Sequence, residues 1–248
     1  MPAEPPLRVV IVDDEELARR GLRRDLAALG GIDVVGECAD GFEAVKAAAD
    51  LKPDLMLLDI RMPRLDGFEV LSLLDPGIAV VFVTAHDDRA VQAFEVNAVD
   101  YVMKPVDPER LARAVERSRE RLRRREPLPL AALAAARAPG ESLTRILVKD
   151  GTRVHVIPVD DVDCVEAQDD YIAVHAGGKS HLKQQTIGEL ESGLDPRRFV
   201  RIHRSWILNL DRLDRIELYA KDSRVAILKD GRRLPLSRAG HQRLRELI

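Results

Sequence analysis

Apolar positions along this chain follow two rhythms, and the change falls near its middle. In the first half, short, mainly apolar runs at 7–12, 53–58, 79–83 and 100–103 alternate with longer amphipathic stretches. Runs of that length, apolar on both faces, predict strands buried in a parallel sheet. The stretches 15–29, 41–50, 65–74, 87–96 and 107–122 place apolar residues at helical spacing. Strand and helix in alternation predict an α/β domain, doubly wound around a five-stranded parallel sheet of flavodoxin-like order.

The rhythm then breaks. Six arginines between 117 and 125 lead into Pro127-Leu128-Pro129, and an Ala-rich stretch ends at Pro139-Gly140. Beyond it, 145–149, 153–157, 171–175 and 224–228 read as short strands, punctuated by the hairpin signals Asp150-Gly151, Gly177-Gly178 and Asp230-Gly231. Helical period returns only around 186–194 and 237–247, the latter with Ser237 as its N-cap. The expected organisation is an α/β domain over 5–125, a linker over 126–142 and a mostly antiparallel β domain over 143–248. The second domain offers no helix-turn-helix.

Polar residues sit where the apolar runs of the first half stop. Asp13-Asp14 follow the first run, Asp59 the second, Thr84 the third and Lys104-Pro105 the fourth. In open α/β sheets, ligands bind beyond the carboxyl ends of the strands. Taken singly, an aspartate such as Asp13 or Asp66 caps a helix or turn, and Thr84 would cap the segment starting at Asp87. Taken together, they gather three carboxylates, a hydroxyl and an ammonium in one crevice. Carboxylates that close repel, and a hard divalent cation such as Mg²⁺ would keep them ionised. Asp59 is then the nucleophile toward a phosphoryl donor, with Asp13, Asp14 and the Arg61 carbonyl on the metal. Lys104 would pair with the phosphoryl charge and Thr84 would donate to one of its oxygens.

Ile11-Val12-Asp13-Asp14-Glu15, Leu58-Asp59-Ile60-Arg61-Met62-Pro63 with Asp66-Gly67, Thr84-Ala85 and Lys104-Pro105 together resemble the receiver domain of bacterial response regulators, over about residues 5–125. The resemblance implies a sensor histidine kinase as phosphoryl donor, a cis Lys104–Pro105 bond, and Tyr101 as a switch residue that turns inward with Thr84. It implies remodelling of a surface built from 87–96, the Tyr101 strand and 107–122. Arg61 and His86, two residues past Asp59 and Thr84, are placed to tune the lifetime of the phosphoryl group.

In the second half, Phe199-Val200-Arg201-Ile202-His203-Arg204-Ser205-Trp206-Ile207-Leu208-Asn209-Leu210 offers Phe199, Ile202, Trp206 and Ile207 to a core. Arg201, His203, Arg204 and Asn209 remain to meet solvent or a partner, with His203 in a structural hydrogen-bonding role. With Leu234-Pro235-Leu236-Ser237-Arg238 and Val165-Glu166-Ala167-Gln168-Asp169-Asp170-Tyr171, this stretch resembles the LytTR DNA-binding domain of the LytR/AlgR family, over about 143–247. The resemblance implies a ten-stranded, elongated β fold that sets loops in successive major grooves. Arg204 and Arg238 match base-contacting positions, and Asp169 or Asp170 supplies the third, accepting from cytosine N4 or capping its turn. Lys183, Arg201 and Arg233 are the candidates for phosphate.

Composition narrows the remaining classes. At 248 residues the chain has room for two domains, each with a core. No apolar stretch reaches membrane-spanning length, and the first residues lack the pattern of a secretory signal. Cys38 and Cys164 lie in different halves, which points to a reducing cytoplasm, and the six histidines are scattered, against a structural zinc site. Residues 1–126 hold 19 Lys and Arg against 25 Asp and Glu, or −6, whereas 142–248 hold 19 against 16, or +3. Acidic and basic halves imply different partners. The second half contains no nucleophile–base or metal-ligand cluster, so enzyme chemistry is expected only as self-phosphorylation and dephosphorylation at Asp59. The expected function is a phosphorylation-regulated transcription regulator, dimeric when phosphorylated and bound to direct-repeat half-sites in promoter DNA. The alternative is a receiver-controlled protein-interaction module without sequence-specific DNA binding.

Overall fold

The computed structural model describes residues 5–85, 98–124, 142–220 and 223–247. The chain folds as two compact units. In the first, strands β1 (Leu7–Val12), β2 (Ile32–Cys38), β3 (Leu55–Leu58), β4 (Ala79–Thr84) and β5 (Asp100–Met103) form one sheet in the order β2-β1-β3-β4-β5. Every neighbouring pair is parallel. Helices α1 (Glu16–Leu29), α2 (Gly41–Leu51), α3 (Gly67–Leu71) and α4 (Pro108–Arg124) accompany it. The strand order reverses between β1 and β3, and at such a switch point a crevice opens beyond the strand ends.

The continuous apolar runs form the sheet centre: every residue of β3 and β4 is buried. Strand β2 has no such run because it is an edge strand, half-covered, with Asp33 and Glu37 interspersed. Asp66 does cap a helix, as its single-residue reading holds. Its carboxylate accepts from Glu69 N–H at 2.8 Å while the Glu69 side chain accepts from Asp66 N–H at 2.9 Å. That cap starts α3 later than the pattern at 65–74 predicts. Gly67 is required there, since a Cβ would lie 2.5 Å from the Asp59 carbonyl oxygen. The Lys104–Pro105 bond is cis. The expected helix over 87–96, His86, and all of the expected linker except Ser142 lie outside the described residues.

The second unit contains ten strands among the described residues. Strands β6 (Arg145–Asp150) and β7 (Arg153–Pro158) pair with each other. Strands β8 (Val162–Gln168), β9 (Tyr171–Ala176), β10 (Lys179–Gln184), β11 (Phe199–His203) and β12 (Trp206–Asn209) form an antiparallel sheet in the order β10-β9-β8-β12-β11. Strands β13 (Leu213–Ala220), β14 (Ser223–Leu228) and β15 (Arg233–Leu236) form a second antiparallel sheet. Helices α5 (Ile187–Gly193) and α6 (Arg238–Leu247) complete it. Gly177 and Gly178 link β9 to β10 with φ of 56° and 76°, the two left-handed positions of a tight hairpin. Strand β10 escapes the apolar pattern because it is a sheet edge held by its ladder; its Leu182 is 56% exposed.

One expectation fails here. Asn209 does not face solvent or a partner but is fully buried, donating to the Val162 carbonyl at 2.7 Å and accepting from Asp211 N–H at 3.0 Å. A buried amide so placed satisfies two backbone groups at once. Phe199, Ile202 and Ile207 are core residues, as expected, and Trp206 is half-buried, stacked on His175 at 5.9 Å.

Candidate functional site

The crevice of the first unit is built by strand ladders that continue past the strands. Asp13 N–H donates to the Cys38 carbonyl at 3.1 Å, Asp59 N–H to that of Val12 at 2.9 Å, and Lys104 N–H to that of Thr84 at 2.9 Å. Backbone pairing thus fixes Asp13, Asp59, Thr84 and Lys104 at four neighbouring strand ends. Lys104 Nζ lies 2.7 Å from Asp13 Oδ2 and 2.8 Å from Asp59 Oδ2. Carboxylate oxygens of Asp13, Asp14 and Asp59 lie within 4.8 Å of one another, the first and last buried and Asp14 exposed. Glu15 N–H donates to Asp13 Oδ1 at 3.0 Å, and Arg61 meets Asp59 through its amide, which donates to Oδ1 at 3.3 Å.

Electrostatics follow from that crowding. Burial pushes the Asp13 carboxyl above its ordinary range, assisted by the Asp59 charge and opposed by Lys104 and the Glu15 amide. Burial would push Lys104 down, but its bonds to Asp13 and Asp59 prevail and hold the ammonium above the ordinary lysine range. Three carboxylates against one ammonium leave excess negative charge on hard oxygen donors. That set fits a hard divalent cation. The Thr84 hydroxyl is buried, with no hydrogen-bond partner among the described residues. It is a donor for which the described side chains supply no acceptor.

Tyr101 is buried on β5, next to a contact that the sequence pattern did not single out. The fully buried carboxylate of Asp100 accepts from Tyr101 N–H at 2.8 Å, from both terminal nitrogens of Arg110, and from Arg117 Nη1 at 2.9 Å. Arg110 Nη2 also donates to the Tyr101 carbonyl at 2.7 Å. Burial would raise the Asp100 carboxyl, yet the Arg110 and Tyr101 hydrogen bonds hold it below its ordinary range. Helix α4 is thereby fastened to the backbone of Tyr101. The signal was present as a carboxylate inside an apolar run, which needs a buried partner.

In the second unit, Arg204 is exposed on the two-residue turn between β11 and β12. His203 Nδ1 and Ser205 Oγ meet across that turn at 2.8 Å, the structural role expected of His203. The Ser205 carbonyl accepts from Ala167 N–H at 2.8 Å, tying the turn to β8, which runs on into the exposed Asp169-Asp170 turn. Asp169 is left-handed there, with φ of 50°. Arg238 opens α6, whose cap Ser237 bonds the Ile202 carbonyl through its N–H at 2.9 Å and its hydroxyl at 2.8 Å. Gly240 N–H donates to Ser237 Oγ at 3.0 Å, the expected N-cap. Arg204, Arg238 and the 169–170 turn therefore spring from one connected backbone frame.

The three phosphate candidates are dispersed. Lys183 lies on β10, four strand spacings from β11, on the order of 20 Å away. Arg233 on β15 is exposed and pairs with Glu217 at 3.0 Å. Arg201 Nη1 meets Glu191 at 3.0 Å and its Nη2 donates to the Arg204 carbonyl at 2.7 Å.

The sequence matches the response regulator receiver domain over residues 9–116 and the LytTr DNA-binding domain over 152–248. A response regulatory protein of Vibrio cholerae is 35% identical over 244 residues, 98% of this chain and 98% of that protein. The transcriptional regulatory protein BtsR of Escherichia coli is 34% identical over 246 residues, covering 98% of this chain and 99% of BtsR. A solved LytTr DNA-binding domain from Bacillus cereus aligns with 43% of this chain and 97% of that one, at 24% identity and a TM-score of 0.40.

Proposed function

We propose, for a chain that belongs to the DNA-binding response regulators pairing a receiver with a LytTR domain, that Asp59 is the phosphoacceptor whose charge governs DNA binding. One observation carries this: Lys104 bridges Asp13 and Asp59 at adjacent strand ends, beside a buried Thr84 hydroxyl with no partner among the described residues. An Asp59 carboxylate oxygen attacks the phosphorus of a phosphohistidine on a sensor kinase. The P–O bond forms as the P–N bond breaks, and the imidazole nitrogen keeps the electron pair. Mg²⁺ held by Asp13, Asp14, Asp59 and the Arg61 carbonyl would neutralise charge on the phosphoryl oxygens.

The phosphoryl group adds about −1.5 to −2 charges where the ammonium already serves two carboxylates. Lys104 turns to the new oxygens and the Thr84 hydroxyl donates to one of them. Thr84 thereby changes the packing around Tyr101, which is buried already rather than turned in from solvent, and the Asp100–Arg110–Arg117 contact carries that movement into α4. The remodelled face forms a homodimer that sets two β domains on direct-repeat half-sites. On each, Arg204 and Arg238 read guanine bidentately, and Asp169 or Asp170 accepts from cytosine. Lys183 and Arg233 contact phosphate. No described helix is long and apolar enough to cross a membrane, and a regulator meeting promoter DNA works in the cytoplasm.

The test is binding to a duplex that the protein selects from a random pool, with and without acetyl phosphate and Mg²⁺. Acetyl phosphate should tighten binding by the wild type and leave Asp59→Asn unchanged. Equal response of the two proteins would remove Asp59 from the switch.

A further inference from the structure

Arg201 carries the charge of a phosphate contact, but its guanidinium is already committed. Nη1 meets Glu191 on α5 at 3.0 Å, and Nη2 donates to the carbonyl of Arg204 itself at 2.7 Å. The group lies against the bare face of Gly188, one helical turn from Glu191, where an added Cβ would sit 3.9 Å from Nη1. Its own backbone is held too, since Arg243 Nη1 donates to the Arg201 carbonyl at 3.0 Å.

The turn it touches needs such a prop. The β11–β12 ladder pairs Arg201 with Ile207, then slips, so that His203 pairs with Trp206 and Ile202 has no partner across the ladder. The Ile202 carbonyl is taken instead by Ser237. Beyond the slip only Arg204 and Ser205 close the turn, and the Arg204 carbonyl receives the guanidinium of Arg201. An exposed arginine loses rotamer freedom on docking, and a loose backbone would add to that loss. Bidentate recognition of a base tolerates little error in where the guanidinium starts.

We infer that the Glu191–Arg201 pair is the positioning element of the DNA-reading turn: it fixes the backbone from which Arg204 reads a base, and Arg201 makes no phosphate contact. This rests on the reading of Arg204 as a base contact.

The full-length protein would be titrated with its selected duplex and with random-sequence duplex over a range of salt concentrations, as wild type, Glu191→Gln, Arg201→Lys, Arg204→Ala and Arg201→Lys/Arg204→Ala. Glu191→Gln and Arg201→Lys should each weaken the selected duplex about ten-fold, the scale of a hydrogen bond to a charged group. Binding to random DNA and the slope of log K against log salt should not change. The loss should fall on the base pair whose preference Arg204→Ala erases, and the double variant should be no weaker than Arg204→Ala. The proposal is overturned if Glu191→Gln binds like wild type or more tightly. It is equally overturned if Arg201→Lys, or Glu191→Gln where that variant fails to fold, weakens both duplexes alike. If Arg204→Ala itself loses no preference, the underlying base-reading assignment fails, whatever Glu191→Gln does.

Discussion

The two polar sites are built in opposite ways. In the first unit, charges are buried at the ends of parallel strands, and the sheet ladder itself fixes Asp13, Asp59, Thr84 and Lys104. In the second, Arg204 and Arg238 are exposed, and their backbone is fixed by side chains: Ser205 with His203, Ser237 on Ile202, Arg201 on Arg204. A buried cluster of like charge costs stability, so it is kept where chemistry needs it. Exposed arginines cost little, and what they demand is precision. Substitutions in the crevice should therefore change both stability and switching, whereas those at the turns should change recognition alone.

The largest effect expected is at Asp59. Asp59→Asn should remove the whole of the phosphodonor-dependent gain in DNA affinity while leaving basal binding intact, measured by fluorescence anisotropy. A variant that keeps half the gain would place a second phosphoacceptor in the chain and spoil the contrast from the crevice side.

Gly240→Ala comes next. Its methyl group would lie 2.0 Å from the Ile202 carbonyl oxygen and 2.6 Å from Ile202 Cα, both backbone atoms that cannot swing away. Overpacking of that kind costs roughly 1–3 kcal/mol and would lift α6, with Arg238, off β11. Urea unfolding of the second unit should shift by that amount and preference at the Arg238 base should weaken. Unchanged recognition would mean that Arg238 does not depend on its contact with β11.

Arg204→Ala is the counter-case. It should weaken the selected duplex by about 1–3 kcal/mol more than random DNA, with unfolding free energy unchanged within about 0.5 kcal/mol. Equal loss on both duplexes would demote Arg204 to a phosphate contact.

How legible each site is in the sequence follows from the same contrast. Buried parallel strands announce themselves as largely apolar runs, so the residues just beyond them are legible and can be grouped from the sequence alone. The second unit hides more. Its edge strand β10 keeps an exposed leucine, and the slip at Ile202 turns a strand carbonyl toward α6. Asn209 sits among polar neighbours in sequence yet is buried because two backbone groups need it. Long-range side-chain props leave no periodic trace: Glu191 and Arg201 carry no local pattern that pairs them. Asp100, inside an apolar run, is a partnership whose existence, though not whose partners, the pattern could have revealed.

The smallest effect expected tests whether the crevice is strained at all. Burial raises the Asp13 carboxyl above the 3.8 of a free aspartate, so the folded chain keeps that proton to a higher pH than the unfolded chain. Wherever the folded state binds more protons, stability falls as pH rises. Without divalent cation, the wild type should therefore lose stability relative to Asp13→Asn as pH climbs from near 4 through the folded pKa of Asp13. Above that range Asp13→Asn should be the more stable of the two, because Lys104 only partly offsets the cost of burying the ionised carboxylate. Mg²⁺ should close the gap by stabilising the wild type and not the variant. Thermal melts of both proteins across that range, with and without Mg²⁺, measure each part. Arg204→Ala, carried through the same melts, should track the wild type at every pH. If Asp13→Asn also tracks it, Lys104 compensates the buried charge completely, and the crevice is no more strained than the turns.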